Sequence, residues 1–371
     1  MSNHYKFDYN AQRGGAAIRF ADKKIKSSIG LDLSNTNFEQ ENYTNSLLSR
    51  TYSNFNLFPR ATFNYKINTY SSVNFRYNGN TNQPTINQIQ PIIINTDPTN
   101  IMIGNDQLRQ EFNHTVSLSY NTYSMLKGQY VYLGINSNMR QNPIAQSQTI
   151  DASGFKMYQY VNTKASQSYS LWGGFNKKII DNFKFNLGGS ASHSKNYNII
   201  NSLENLNNTL VLSPSFGLEF ENDTLLMISY SFNPTYNTST SSIRTDIKNN
   251  YWSYTNSFDI SYELPLGISI GSDINWNIRP RLSENVEGMN VFLWNAYVSK
   301  RLLKDRSLLA KVYCYDILNQ NVGYNYYQAG DLISERSFNI IQQYFMFSLT
   351  WNFNSMGATK EGSGGGRRRF R

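Results

Sequence analysis

The chain has 371 residues, enough for two or three ordinary domains, but hydrophobic residues make up only 39% and the mean hydropathy is −0.53. No stretch therefore approaches the roughly 18 consecutive apolar residues of a membrane-spanning helix, which excludes a helical membrane protein. The formal charge of +9 is scattered along the chain except in the final GGGRRRFR, and this scatter argues against nucleic acid as a partner.

The sequence alternates apolar and polar residues at a period of two, which is typical of β-strands. In residues 25–34, for example, Ile29, Leu31 and Leu33 alternate with small or polar residues. The pattern shows no domain boundary, so we expect one domain over residues 1–354. In chain order, the sixteen predicted strands cover residues 4–10, 14–20, 25–34, 55–67, 71–78, 113–123, 129–140, 167–178, 183–196, 208–220, 224–236, 252–262, 268–278, 290–302, 307–316 and 339–353.

The two faces of these strands differ in chemistry. In the last strand Phe345, Phe347 and Leu349 occupy one face, while mostly small or polar residues occupy the other. A Lys or Arg that faces lipid near the bilayer midplane costs about 2 to 4 kcal/mol. In the clearest strands the charged residues all fall on the polar face: Lys26, Asp32, Arg76, Asp259 and Asp273. Lipid outside and water inside are the natural neighbours of such strands, which predicts an all-β, transmembrane, antiparallel up-and-down β-barrel of about 14 to 16 strands.

The predicted links alternate between short and long. Short links fall at residues 21–24, 67–71, 124–129, 178–182, 221–224, 264–267 and 302–306. Long links fall at 39–54, 79–112, 141–166, 197–207, 237–250, 279–289 and 317–338. Short periplasmic turns and long extracellular loops are typical of barrels in the bacterial outer membrane. This assignment puts the C-terminus in the periplasm, with residues 355–371 as a flexible Gly/Arg-rich tail.

No catalytic or metal-binding constellation is visible. His4, His114 and His193 are far apart, and none has a recognised spacing to Cys, Asp or Glu. The single cysteine, Cys314, cannot form an internal disulfide and lies in a predicted strand. We therefore expect no enzyme, no metal and no cofactor.

Aromatic residues make up 15% of the chain, and several lie on the apolar face of predicted strands. Such side chains are expected at the level of the lipid headgroups, although sugar stacking is the alternative. The predicted interface aromatics are Trp252, Trp276, Trp294, Trp351 and Phe353.

The long link at 81–112 is the strongest candidate for ligand recognition. Pro84, Pro91 and Pro98 exclude a central strand, and its isoleucines need a partner to cover them. Two interpretations stay open: the segment folds over the barrel rim, or it contacts a ligand or an external partner. The candidate ligand-binding residues are Gln83, Asn87, Gln88, Asn95, Asp97 and Asn105.

The same segment, NQPTINQIQPIIINTDPTNIMIGNDQLRQEFNHTVSLSYN, resembles a stretch in the β-barrel of TonB-dependent outer-membrane receptors. LFPRATFNYKI at 57–67, YDILNQNVGY at 315–324 and QYFMFSLTWNFN at 343–354 resemble the same barrel in order and spacing. The resemblance implies a 22-stranded barrel with an N-terminal plug, a nutrient ligand bound outside, and energy delivered by TonB to a periplasmic box.

This sequence shows no plug, TonB box or secretory signal, so we expect it to represent the C-terminal part of such a barrel. A seam between residues 4–20 and 339–353 should then be imperfect. The expected partners are outer-membrane lipid, the barrel assembly machinery, an unidentified extracellular ligand, and a plug and TonB system supplied by missing sequence. A plugless porin-like channel and, less favoured, an enzyme with its site at the barrel rim remain as alternatives.

Overall fold

The computed structural model describes residues 5–44, 49–90, 93–97, 100–151, 155–222, 225–245, 249–282, 286–303, 306–329 and 332–352. These residues form a nearly all-β protein with one four-residue helix, α1 (Ile86–Ile89), and a 3₁₀ turn at Pro265–Gly267. No helix in these ranges is both long and apolar enough to cross a membrane. The predicted tail at 355–371 lies outside the described residues.

Strand bounds in chain order are β1 (Tyr5–Ala21), β2 (Ile25–Asn42), β3 (Arg50–Asn68), β4 (Ser71–Asn82), β5 (Ile93–Asp97), β6 (Asn100–Ile103), β7 (Glu111–Ser124), β8 (Gln129–Gln141), β9 (Ile144–Ile150), β10 (Lys156–Asn162), β11 (Ser166–Ile180), β12 (Phe183–Ile200), β13 (Leu203–Asn222), β14 (Leu226–Ser241), β15 (Asn249–Leu264), β16 (Ile268–Arg279), β17 (Met289–Leu302), β18 (Leu308–Tyr315), β19 (Tyr324–Ala329), β20 (Leu332–Ser337) and β21 (Tyr344–Trp351).

Fifteen of these strands pair in succession as one antiparallel sheet, here called the wall. Their order is β1, β2, β3, β4, β7, β8, β11, β12, β13, β14, β15, β16, β17, β18 and β21. Neighbours in the sheet are therefore neighbours in sequence, apart from the small strands inserted in loops. The predicted up-and-down architecture is confirmed.

The wall has a polar inner face, defined by Asp32, Asp259 and Asp273, and an apolar outward face, defined by Phe345 and Phe347. Cross-strand pairing keeps the two sets apart across all fifteen strands, because each register places residues of the same set opposite one another. The five charged residues assigned to the polar face by sequence all lie on the inner face: Lys26, Asp32, Arg76, Asp259 and Asp273.

The outward face has no dry protein layer against it. Phe347 is 64% exposed, Trp351 57% and Ile270 40%, although each is a large apolar side chain. Inner-face side chains instead bond one another: Ser257 donates to Asn275 over 2.9 Å, and Thr255 donates to Asn277 over 3.0 Å. This arrangement suits an apolar medium outside the wall and a polar medium inside it.

Two predicted elements at the start of the chain are one strand. The pieces at 4–10 and 14–20 both belong to β1, which pairs with β2 without interruption. Gly14 and Gly15 interrupt the alternation of apolar residues. Steric hindrance explains the glycine at position 15, because a Cβ there would lie 2.2 Å from Oδ1 of Asp32 on β2. The glycine makes room for a carboxylate, and the wall has fifteen strands rather than sixteen.

Several predicted links differ in length from those observed. The long link at 197–207 is a two-residue turn at Asn201 and Ser202, both with positive φ, so β12 and β13 form one long hairpin. The last strand begins at Tyr344 rather than at 339. Elsewhere the links do alternate between short and long. Short links such as 265–267 define the short-turn end of the wall, and long links such as 83–110 define the long-loop end.

Within the described residues, β1 pairs with β2 only and β21 with β18 only. The predicted seam between them is therefore open. An odd number of antiparallel strands gives the first and the last strand the same direction, so a ladder from β1 to β21 would have to be parallel. All fourteen pairings inside the wall are antiparallel.

Four short strands add a small sheet at the long-loop end. β5 pairs with β6, β6 runs parallel to β10, and β10 pairs with β9. β9 in turn runs parallel to the tip of β12, where Ser147 and Gln148 lie opposite Ile199 and Ile200. Separately, β19 and β20 form a hairpin between β18 and β21. The predicted loops at 79–112, 141–166 and 317–338 thus carry secondary structure of their own.

Candidate functional site

The 83–110 segment is attached to the inner face of the wall. Nδ2 of Asn54 on β3 donates to Oε1 of Gln83 over 2.9 Å. Nε2 of Gln83 lies 2.7 Å from Oδ1 of Asn56 and 2.8 Å from Oε1 of Gln110. Asn54 and Asn56 both lie on the inner face, so the two ends of the segment are held together against β3.

Near its C-terminal end, the segment is also held from two sides. Asp106 forms an ion pair with Arg50 on β3, and the bonded guanidinium lowers the pKa of the Asp106 carboxyl. On the opposite side, Nδ2 of Asn105 donates to the carbonyl of Tyr160 on β10 over 2.8 Å. The segment therefore bridges the wall and the small sheet at the long-loop end.

The structure places the six candidate ligand residues differently. Gln83 and Asn105 make the bonds just described, and Oε1 of Gln88 accepts from the backbone N–H of Thr85 at the start of α1 over 2.8 Å. Asn87 is exposed on α1. Asn95 and Asp97 lie on β5, but their side chains are outside the described part. Gln83, Gln88 and Asn105 therefore help to hold the segment in its observed conformation.

A pair of aromatic rings on the inner face was not identified from the sequence. Trp172 on β11 lies opposite Gly134 on β8, and a Cβ on that glycine would be 2.1 Å from Cζ2 of Trp172. Tyr132 lies opposite Gly174, where a Cβ would be 2.5 Å from the tyrosine Oη. Each ring thus lies over a glycine of the neighbouring strand. Their centroids are 5.9 Å apart.

A second inner-face aromatic group crosses β17, β18 and β21. Tyr297 and Tyr313 stack at 5.9 Å between centroids, and Tyr315 and Tyr344 stack at 4.4 Å. Nζ of Lys311 lies 3.8 Å from the centroid of Tyr297 and 4.8 Å from that of Tyr313. The lysine covers part of this group, which therefore stabilises the wall between these strands.

Charges on the inner face near β1 form a compact cluster. Nη2 of Arg13 and Nη1 of Arg60 lie 2.8 Å and 3.0 Å from the same oxygen, Oδ2 of Asp32. The Arg13 guanidinium also lies 4.1 Å from the ring centroid of Phe58. One carboxylate serves two guanidinium groups, so the cluster has a net positive charge.

The predicted interface aromatics lie on the outward face where the structure describes them. Trp252 and Trp276 lie near the long-loop ends of their strands, and Trp351 lies at the short-turn end of β21. Trp294 lies in the middle of β17, where its Nε1 donates to Oγ of Ser272 over 2.8 Å. Phe353 is outside the described residues. Their assignment to belts at the level of the headgroups stays a prediction.

Histidines make no catalytic arrangement in the described ranges. Nδ1 of His114 lies 3.0 Å from the Tyr77 hydroxyl, and Nε2 of His193 lies 2.6 Å from Oδ1 of Asn208. No group of three or more His, Cys, Asp or Glu side chains there could hold a metal ion.

Comparison with known proteins gives a family for this fold. The profile of the outer membrane protein beta-barrel family matches residues 1–209. The structure is similar to that of the copper transporter OprC, with a TM-score of 0.52, 11% identity, and coverage of 94% of this chain and 58% of that chain. It also matches the siderophore receptor PirA from Acinetobacter baumannii, with a TM-score of 0.37, 10% identity, and coverage of 94% and 65%. No curated protein sequence matches the chain.

A fifteen-strand antiparallel wall with an apolar outward face defines an outer-membrane β-barrel protein. The chain belongs to the outer membrane protein beta-barrel family. Its resemblance to receptor barrels of the TonB-dependent type is confirmed at the level of the fold. The chain spans less than two thirds of the length of OprC and of PirA.

Proposed function

We propose that this chain forms the wall of a receptor-type barrel in the bacterial outer membrane and takes part in the binding and uptake of a nutrient ligand. The observation that carries this proposal is the 83–110 segment, which lies against the polar inner face through Gln83 and Asp106. A segment held inside the mouth of a barrel narrows the opening and offers polar groups to a ligand.

The orientation and the partners belong to the same proposal. The long-loop end faces the exterior and the short-turn end faces the periplasm, which puts the end of β21 in the periplasm. A plug domain, a TonB system and the barrel assembly machinery are the partners that the family resemblance implies. We propose a role in binding and transport rather than an enzymatic one, because the chain belongs to a family of outer-membrane barrels.

Conductance measurements on the purified full chain in planar lipid bilayers test this proposal against the porin alternative. A receptor wall with its inner segment in place gives no large, steady open-pore current. The Gln83→Ala, Asp106→Asn double variant removes the Gln83 and Asp106 attachments to β3 and leaves the 3.3 Å bond from Nε2 of Gln110 to the Phe55 carbonyl. It should give larger and more variable currents. Large, steady currents from the unaltered chain would contradict the receptor proposal and favour a passive channel.

A further inference from the structure

We propose that Trp172 and Tyr132 form a stacking platform on the inner face that binds the sugar rings of a neutral oligosaccharide. The inference names a ligand class for the barrel and rests on the proposed function, because it needs the inner face to line the path of the ligand.

Glycines support both rings. A side chain at Gly134 or Gly174 would occupy the space that the Trp172 and Tyr132 rings now fill, since a Cβ would lie within 2.1 Å and 2.5 Å of ring atoms or the hydroxyl. The two ring planes meet at 38°. Both side chains are only half-buried. Rings laid over a glycine backbone direct their other faces away from the wall, toward the lumen.

Small residues continue the surface beside the rings. Gly174 lies opposite Gly188 on β12, and Gly188 lies opposite Ser215 on β13. Trp172 lies opposite Ser190. Three glycines and several hydroxyl groups thus leave a shallow area next to the platform, which gives a bulky ring room to approach the aromatic faces.

The chemistry of this area fits a neutral polyhydroxylated ligand. Hydroxyl groups of Ser119, Ser190 and Ser215 can both donate and accept hydrogen bonds, as sugar hydroxyls do. On β8 and β11 the nearest charged inner-face residues are Arg140, six residues from Gly134, and Lys178, four residues from Gly174, or about 20 Å and 13 Å along the strands. Arg76 on β4 lies on the same face, two strands from β8 and two residues beyond the position level with Gly134. The apolar C–H face of a sugar ring matches an aromatic face.

Stabilisation of the sheet alone explains the two rings but not the small residues beside them. An aromatic ring over a cross-strand glycine also stabilises a sheet, and any flat ring would serve. That role does not require neighbouring strands to present Gly188 and Ser215 beside the ring. Lys311, which covers part of the Tyr297 and Tyr313 rings, has no counterpart among the described neighbours of Trp172.

Calorimetric titration of the full chain in lipid vesicles tests the proposal with three hexasaccharides: maltohexaose, cellohexaose and laminarihexaose. At least one should bind the unaltered protein. Trp172→Leu should weaken that binding about tenfold, in the range of a lost aromatic stacking contact. Trp294→Leu is the matched control, since Trp294 lies on the outward face, and it should leave the affinity unchanged.

Tryptophan fluorescence gives a second measurement that needs only a conservative change. The bound hexasaccharide should alter the emission of the unaltered protein and of Trp294→Phe. Trp172→Phe should abolish the emission change while the calorimetric affinity falls only about threefold, because a flat ring remains. Absence of binding by all three sugars, unchanged affinity in Trp172→Leu, or an emission change that persists in Trp172→Phe would overturn the inference.

Insertion into the vesicles, checked first by flotation, separates this inference from the proposed function. A chain that inserts but binds no hexasaccharide overturns the sugar platform and leaves the receptor wall intact. A chain that fails to insert contradicts the proposed function, and the inference falls with it.

Discussion

Asp259 on β15 lies directly opposite Asp273 on β16, and both carboxylates are on the inner face. They have different partners. The Ser229 hydroxyl donates to Asp259 over 2.9 Å. Asp273 accepts from the Tyr313 hydroxyl over 2.5 Å and from Nδ2 of Asn295 over 2.6 Å. The wall therefore places two like charges directly opposite each other. The hydrogen bonds from Tyr313 and Asn295 stabilise the carboxylate of Asp273.

Neutralising these two carboxylates should have opposite effects on stability. Asp259→Asn removes the cross-strand repulsion and keeps an acceptor for Ser229, so the free energy of unfolding should rise by less than about 1 kcal/mol. Asp273→Asn relieves the same repulsion but weakens two charge-assisted hydrogen bonds, so the free energy of unfolding should fall by up to about 1 kcal/mol. Urea unfolding from lipid vesicles measures both. Equal shifts in the same direction would show that the network around Asp273 has no special role.

The attachment of the 83–110 segment should depend on pH through Asp106. Because Arg50 lowers the pKa of Asp106, this attachment stabilises the folded arrangement fully above the ordinary carboxyl pKa of about 4. It should be lost as the pH falls through the lowered pKa. A nitroxide on Asn87→Cys, in a Cys314→Ser background, reports the mobility of the segment by electron paramagnetic resonance.

That spin label should stay immobile from pH 7 to about pH 4 and become mobile at lower pH. In Asp106→Asn it should be more mobile at pH 7 than in the unaltered protein, while Gln83 and Gln110 still attach the ends of the segment to β3. Asp181→Asn is the matched control, since its ion pair with Lys178 lies at the short-turn end. A label that is immobile in Asp106→Asn at neutral pH would contradict the role of this ion pair.

The proposed orientation predicts which end of the wall is accessible on intact cells. Asn87→Cys at the long-loop end should react with a membrane-impermeant maleimide in whole cells, again in a Cys314→Ser background. Asp181→Cys, in the turn between β11 and β12, should react only after the outer membrane is permeabilised. The reverse pattern would place the long loops in the periplasm.

The two-residue periodicity predicts most strands of the wall but not the turn between β12 and β13. Residues 268–278 and 345–351 alternate cleanly because one face meets an apolar medium and the other a polar one. β12 and β13 extend past the predicted strands, and there apolar residues such as Ile199 and Ile200 fall on both faces, so no alternation remains. The turn at Asn201 and Ser202 was therefore interpreted as part of a long loop.

The candidate site was harder to predict for a different reason. The 83–110 segment was singled out because its prolines and isoleucines suit neither a central strand nor a free loop, and it does lie against the wall. Trp172 was not identified, although its strand was predicted, because the position of its ring depends on Gly134 on another strand. Only the register between β8 and β11 brings that glycine under the ring, and one sequence does not supply the register.

The outward face of the wall should meet lipid and the inner face water, and two adjacent residues in the middle of β16 distinguish these environments. Ile274 lies outward, opposite Phe258 and Trp294, whereas Asn275 lies inward, opposite Ser257. In lipid vesicles, Ile274→Arg should lower the free energy of unfolding by about 2 to 4 kcal/mol. Asn275→Arg should lower it by less than about 1 kcal/mol, because its charge stays in water. Equal losses, or a larger loss at Asn275, would contradict a wall that spans the membrane.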